Sequence, residues 1–108
     1  MLRPENELDI QQLRASAEAS GQLLKALANP DRLLLLCQLS QGELNVTDLE
    51  ALSGIQQPTL SQQLAVLRSK SMVETRRAGK QVYYRISSSA ALAVIHVLYQ
   101  HFCAGDAK

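Results

Sequence analysis

The sequence predicts a mainly α-helical domain carrying one small β-hairpin. Three observations point there. Apolar residues recur at helical spacing through most of the 108 residues. Asparagine or serine stands at the start of several of these runs, and glycine follows two of them. After Ser71 the period drops to two, on either side of a turn at Gly79. One domain over residues 1–108 is the expectation. Residues 1–7 are read either as disordered or as an extension of the first helix.

Each element has its own justification. Residues 7–28 place Leu8, Leu13, Ala17, Leu23, Leu24 and Leu27 at helical spacing, with Gly21 as a candidate break into two helices. In "NPDRLLLLCQLSQG", Asn29 is an N-cap, Pro30 fits the first helical position, and Asp31 suits the first turn. That helix runs to about Ser40 and stops at Gly42. In "NVTDLEALSG", Asn45 is the N-cap, Asp48 sits three residues on in a capping-box-like position, and Gly54 is the stop. "IQQPTLSQQLAVLRSKS" begins almost at once, with Pro58 in its first turn, so a helix–turn–helix results. "MVETRR" and "QVYYRI" then read as two strands joined by a basic, glycine-containing turn. From Ser88 or Ser89 as N-cap, "AALAVIHVLYQHFC" is a final helix that is apolar on most sides. A small domain cannot bury all of that surface against its own core, so a homodimer through this helix is expected. Coverage by the first helix alone is the alternative.

Composition narrows the function classes. Apolar content of 46% with three prolines indicates a folded chain. The polar start "MLRPENELDI" is no secretory signal. The longest apolar run, Leu33 to Cys37, is too short to cross a bilayer. Cytoplasmic residence without a membrane partner follows as the expectation. In that setting Cys37 and Cys103 do not form a permanent structural disulfide. No CxxC motif, βαβ pattern or general base beside either cysteine is present, which argues against an enzyme. No cofactor is expected.

Net charge is only +1, but its distribution is uneven. Residues 1–54 hold four bases and eight acids. Residues 55–85 hold six bases (Arg68, Lys70, Arg76, Arg77, Lys80, Arg85) and one acid, Glu74. The positive charge therefore gathers where the second helix of the helix–turn–helix and the hairpin lie, as a polyanion ligand would require.

The segment "PTLSQQLAVLR" is amphipathic in an unusual way. Leu60, Leu64 and Leu67 line one face, while Pro58, Thr59, Gln62, Ala65 and Ser69 line the other. A merely solvated face would carry Glu and Lys. Small residues such as Ala65 and Ser69 let a helix backbone approach base edges in a DNA major groove. Gln57, Gln62 and Gln63 can pair with adenine, and Thr59 and Ser61 can reach bases or phosphates. Arg68 and Lys70 suit the DNA backbone. Arg76, Arg77 and Lys80 suit phosphates or the minor groove. A recognition helix followed by a basic wing is a winged helix-turn-helix, with double-stranded operator DNA as partner.

"LKALANPDRLLLLCQL", "ELNVTDLEALSGIQQPTLSQQLAVLR" and "MVETRRAGKQVYYRI" together resemble the ArsR/SmtB winged-helix repressors, over roughly residues 20–103. The resemblance implies the order α1-α2-α3-α4-αR-β-β-αC and a homodimer formed through the first and last helices. It also implies a repressor that releases operator DNA when an inducer binds. Many members have His after the Ser-Gln of the recognition helix, where this chain has Gln63. The family's two common metal sites are missing by the same comparison. Asn45 and Thr47 stand where one site has thiolates, and amide or hydroxyl groups hold soft metals poorly. The second site would fall at Ser88, Ala90, His101 and Ala104, where one ligand survives. His96 and His101, five residues apart, do not share one helix face. An unconventional metal site therefore remains only as an alternative.

"LLLLCQL" with "LYQHFC" resembles the family's dithiol subgroup, the sulfide- and persulfide-responsive repressors and HlyU-type virulence regulators. That resemblance implies a switch in which reactive sulfur or an oxidant links Cys37 to Cys103 by a disulfide or polysulfide. An antirepressor or activator role of the HlyU kind is the other regulatory option.

Overall fold

The computed structural model describes residues 10–103; the expectation for residues 1–7 lies outside them. Asn29 caps α2 (Pro30–Leu39): its Oδ1 accepts the backbone N–H of Arg32 at 3.0 Å, and Pro30 occupies the first turn. Asn45 caps α3 (Val46–Ser53) in the same way, accepting the N–H of Asp48 at 2.7 Å. Gly54 ends α3 at φ +76°, in the left-handed region that glycine enters without a Cβ penalty. Helix α4 (Thr59–Ser69) follows after five residues, completing the helix–turn–helix. Ser88 Oγ accepts the N–H of Ala91 at 3.0 Å and starts α5 (Ser89–Phe102).

The first helix, α1 (Ile10–Leu27), is continuous. The break anticipated at Gly21 does not occur. Glycine weakens a helix by about 1 kcal/mol relative to alanine but does not forbid one, since it keeps its N–H and can hold helical angles. Four helices therefore precede the hairpin, one fewer than the order the resemblance implied, while the winged helix-turn-helix class holds.

The wing consists of β2 (Val73–Ala78) and β3 (Gln81–Ile86), antiparallel and joined at Gly79 and Lys80. Gly79 has φ +63°, which a tight two-residue turn demands. A two-residue strand that the sequence reading did not contain, β1 (Leu44–Asn45), pairs with Tyr84 and Tyr83 of β3. The sheet order is β1-β3-β2. Two residues are too few for a period to be visible, and Asn45 was already accounted for as a cap.

Leu60, Leu64 and Leu67 of α4 are buried in one cluster with Leu35, Leu36 and Leu39 of α2, Leu49 of α3 and Ile95 of α5. Among the described residues no polar or charged residue is buried. The inner face of α4 is thus held by apolar packing alone, and its other face is left outside.

Loss of a buried leucine should register strongly. Leu67→Ala should destabilise the domain by about 2–5 kcal/mol in urea unfolding. Asn29→Ala, which removes only a cap, should cost about 1 kcal/mol in the same measurement.

Candidate nucleic-acid interface and thiol pair

With the leucines turned inward, α4 presents Ser61, Gln62, Ala65, Arg68, Ser69 and Lys70 to solvent, while Thr59 and Gln63 are half-buried. The neutral, low-profile face read from the sequence is the face that is open.

The three glutamines differ in their engagements. Gln57 Oε1 accepts the backbone N–H of Ser61 at 3.1 Å, supplying the N-terminal cap that Pro58 cannot provide. Gln63 Oε1 accepts from Arg32 Nη1 at 2.9 Å. The Gln62 side chain is exposed with no hydrogen-bond partner among the described residues. Arg32 also donates from Nε to the carbonyl of Ala26 at 2.6 Å and from Nη2 to that of Lys25 at 3.3 Å. It therefore satisfies the last turn of α1 while reaching α4. Sequence reading did not single out Arg32. Its signal was faint: one arginine in the first turn of a helix, where a cation is not the preferred charge.

The register of the hairpin sorts its bases by face. Directly opposed residues share a face, so Val73, Thr75 and Arg77 lie with Ile86, Tyr84 and Val82. Val73 is buried, and Tyr84 and Ile86 pack on the core, so this face turns toward the helices. Glu74, Arg76 and Ala78 lie on the other face with Arg85, Tyr83 and Gln81. There Arg76 forms a two-pronged pair with Glu43, Nε to Oε2 and Nη2 to Oε1, both at 2.8 Å. Its guanidinium also stacks over the Tyr83 ring, 4.7 Å from the centroid. Arg85 pairs with Glu74. Arg77, Lys80, Arg68 and Lys70 are exposed with no ion-pair partner among the described residues. Of the bases expected over the DNA backbone, these four are uncommitted and Arg76 is engaged.

The hydrogen bond from Arg76 holds the Glu43 carboxyl below its ordinary 4.5, against a smaller opposing effect of desolvation. A lowered carboxyl contributes stability above its unfolded value and loses it as pH falls. The Glu43–Arg76 clamp is therefore intact at neutral pH and opens only in acid below 4.5.

Cys37 and Cys103 are both free thiols. Cys37 is half-buried on α2 against the core, and Cys103 is exposed at the end of α5. Helices α2 and α5 pack together. Burial pushes the Cys37 thiol above its ordinary 9.0, and interaction with Cys103 raises it further. His96 and His101 are exposed on α5. Among the described residues no three His, Cys, Asp or Glu side chains gather to hold a metal ion.

Residues 29–75 match the family described as bacterial regulatory protein, arsR family. Over 100 residues the chain is 48% identical to the biofilm growth-associated repressor of Agrobacterium fabrum, covering 93% of this chain and 86% of that one. The chain belongs to the arsR family. Its fold agrees with the crystal structure of the transcriptional repressor BigR from Xylella fastidiosa. The TM-score there is 0.81 at 47% identity, over 87% of this chain and 96% of that one. Reduced HlyU from Vibrio cholerae gives a TM-score of 0.82 at 38% identity, over 86% and 98% of the two chains. These relatives are transcriptional regulators, not enzymes. For this arsR-family chain, no described helix is long and apolar enough to cross a membrane.

Two measurements follow from the geometry. Arg77→Ala should weaken DNA binding and lower the slope of log affinity against log salt by about 1, the loss of one phosphate contact. Arg76→Ala should leave that slope unchanged, because its charge is already matched by Glu43. In alkylation followed by mass spectrometry, Cys103 should be modified first. The Cys37 rate should keep climbing as pH rises past 9.0, as a growing fraction of its raised thiol ionises.

Proposed function

We propose that this chain is a dimeric DNA-binding repressor whose operator affinity is switched off when Cys37 and Cys103 are linked. The observation that carries the switch is the packing of α2, which holds the free thiol of Cys37, on α5, at whose end the free thiol of Cys103 stands. DNA binding rests on family membership, on the open neutral face of α4 and on the uncommitted wing bases. Ser61 and Gln62 face the major groove with Thr59 at its rim, Gln63 contributes from its half-buried position, and Gln57 chiefly caps the helix. Arg68, Arg77 and Lys80 contact phosphates, and Arg76 holds the wing in place behind them. Repression is the activity named for the Agrobacterium fabrum and Xylella fastidiosa relatives.

The dimer reading is supported by exposure. Every residue of α1 from Ile10 to Gln22 is exposed. An isolated helical stretch that short is marginal in water without a surface to pack on. Ile10, Leu13 and Leu24 on α1, with Val97, Tyr99 and Phe102 on α5, are large apolar side chains left outside. A second copy would cover them through the first and last helices.

The chemistry balances without a cofactor. A persulfide RSSH passes its outer sulfur to the Cys103 thiolate, giving Cys103–SSH and the leaving thiolate RS⁻. The Cys37 thiolate then attacks the inner sulfur, a disulfide forms, and hydrogen sulfide leaves. A second sulfur transfer before closure leaves a longer bridge. With a peroxide the two thiols lose two electrons and two protons, and water is formed. Exposed Cys103 meets the reagent first, and the raised thiol of Cys37 acts second. The bridge ties α5 to α2 and alters the dimer helix. Half-sites about 34 Å apart tolerate little change in the spacing of two recognition helices, so affinity falls.

The test is fluorescence anisotropy on the DNA upstream of the gene at fixed salt, with reduced protein and with protein treated with glutathione persulfide. Intact mass is recorded on both. Treatment should weaken binding at least tenfold and leave both cysteines in one bridge. Cys37→Ser and Cys103→Ser should bind DNA like the reduced protein and ignore the persulfide. A full response from either variant would sink the switch.

A further inference from the structure

The three amides of the helix–turn–helix are not equivalent hydrogen-bonding groups. An amide can usually flip to offer either its oxygen or its NH2. Gln63 cannot, because its partner is an arginine, which only donates. The carbonyl end must face Arg32. Arg32 is itself fixed, with Nε and Nη2 on the last carbonyls of α1 and its backbone N–H on the Asn29 cap. Gln63 as a whole is half-buried.

This bears on base reading. A glutamine reads adenine in the major groove by accepting from N6 and donating to N7 at once, with both amide groups turned to the base. Guanine presents two acceptors, O6 and N7, to the same groove. We propose that Arg32 is a positioning residue that turns the Gln63 carbonyl toward α2 and leaves the NH2 as the group Gln63 offers to DNA, so that the base pair Gln63 meets is selected as guanine over adenine. Gln62, free of such a partner among the described residues, keeps both amide groups for its own base pair. The assignment rests on the DNA-binding reading and goes beyond it. It names the residue that sets selectivity at one position, although that residue lies in another helix and touches no base.

The experiment is selection from a randomised duplex library, sequenced for the wild type, Arg32→Ala, Gln63→Ala, Gln63→Glu and Gln62→Ala. The wild type should show one position per half-site where guanine exceeds adenine by about tenfold. Gln63→Ala should bring that ratio close to one. Arg32→Ala frees the oxygen and should move the same position, and no other, toward adenine. Gln62→Ala should alter a different position. Gln63→Glu keeps an acceptor for Arg32 while losing the donor. It should fold as stably as the wild type by thermal melting yet lose the guanine preference, which keeps the test decisive if Arg32→Ala does not fold.

Retention of the guanine preference by Arg32→Ala or by Gln63→Glu would overturn the proposal. So would a Gln63→Ala profile identical to the wild type at every position. If the wild type enriches no sequence at all, the DNA-binding reading fails first. That outcome is distinct from enrichment with an unchanged position 63 preference.

Discussion

Burial of Leu60, Leu64 and Leu67 in the core with Leu35, Leu36 and Leu39 is the constraint on which the rest of this molecule depends. It fixes the roll of α4 about its own axis. Once those three side chains are inside, Ser61, Gln62 and Ala65 between them point outward, and that outward set is neutral. A helix rolled by one residue, 100°, would bury Ser61 and Arg68, or Thr59 and Gln63, in an apolar core. The same burial that stabilises the domain therefore determines what the domain shows to its surroundings.

Polar links then refine what packing sets. Arg32 joins the end of α1 to α4, and Arg76 joins the wing to Glu43 in the segment between α2 and β1. Neither contributes much as an isolated exposed ion pair or hydrogen bond. Their value is geometric, since a forked guanidinium fixes orientation as well as distance. The thiol pair belongs to the same frame. Cys37 lies five residues along α2 from Arg32, so the helix that carries the inner thiol also carries the contact to α4.

Much of this was legible in the sequence, and the reasons are local. Asn29, Asn45 and Ser88 announce helix starts because a side-chain oxygen placed there satisfies an otherwise unpaired N–H. The two-residue period of "QVYYRI" and the glycine at position 79 announce the hairpin. The outward face of α4 was legible because three leucines at i, i+4 and i+7 leave no doubt which side is buried. What escaped was non-local. Whether Gln63 is free depends on an arginine 31 residues away, and whether Arg76 is free depends on a glutamate 33 residues away. No periodicity encodes such pairings. Gly21 misled for the opposite reason, since its weak local preference against helix is overridden by the residues on either side.

The Arg32–Gln63 contact also limits how this surface can change over time. Position 62 faces outward without a partner, so a lineage could exchange it freely and acquire a new target sequence without disturbing the fold. Position 63 has no such freedom. While an arginine occupies position 32, residue 63 must offer an acceptor or leave a half-buried guanidinium nitrogen unpaired. Glutamine meets that condition, and so does a neutral histidine. Two adjacent residues on one helix are thus subject to different rules of inheritance. One diversifies alone, and the other changes only within a short alphabet set by a residue in a different helix.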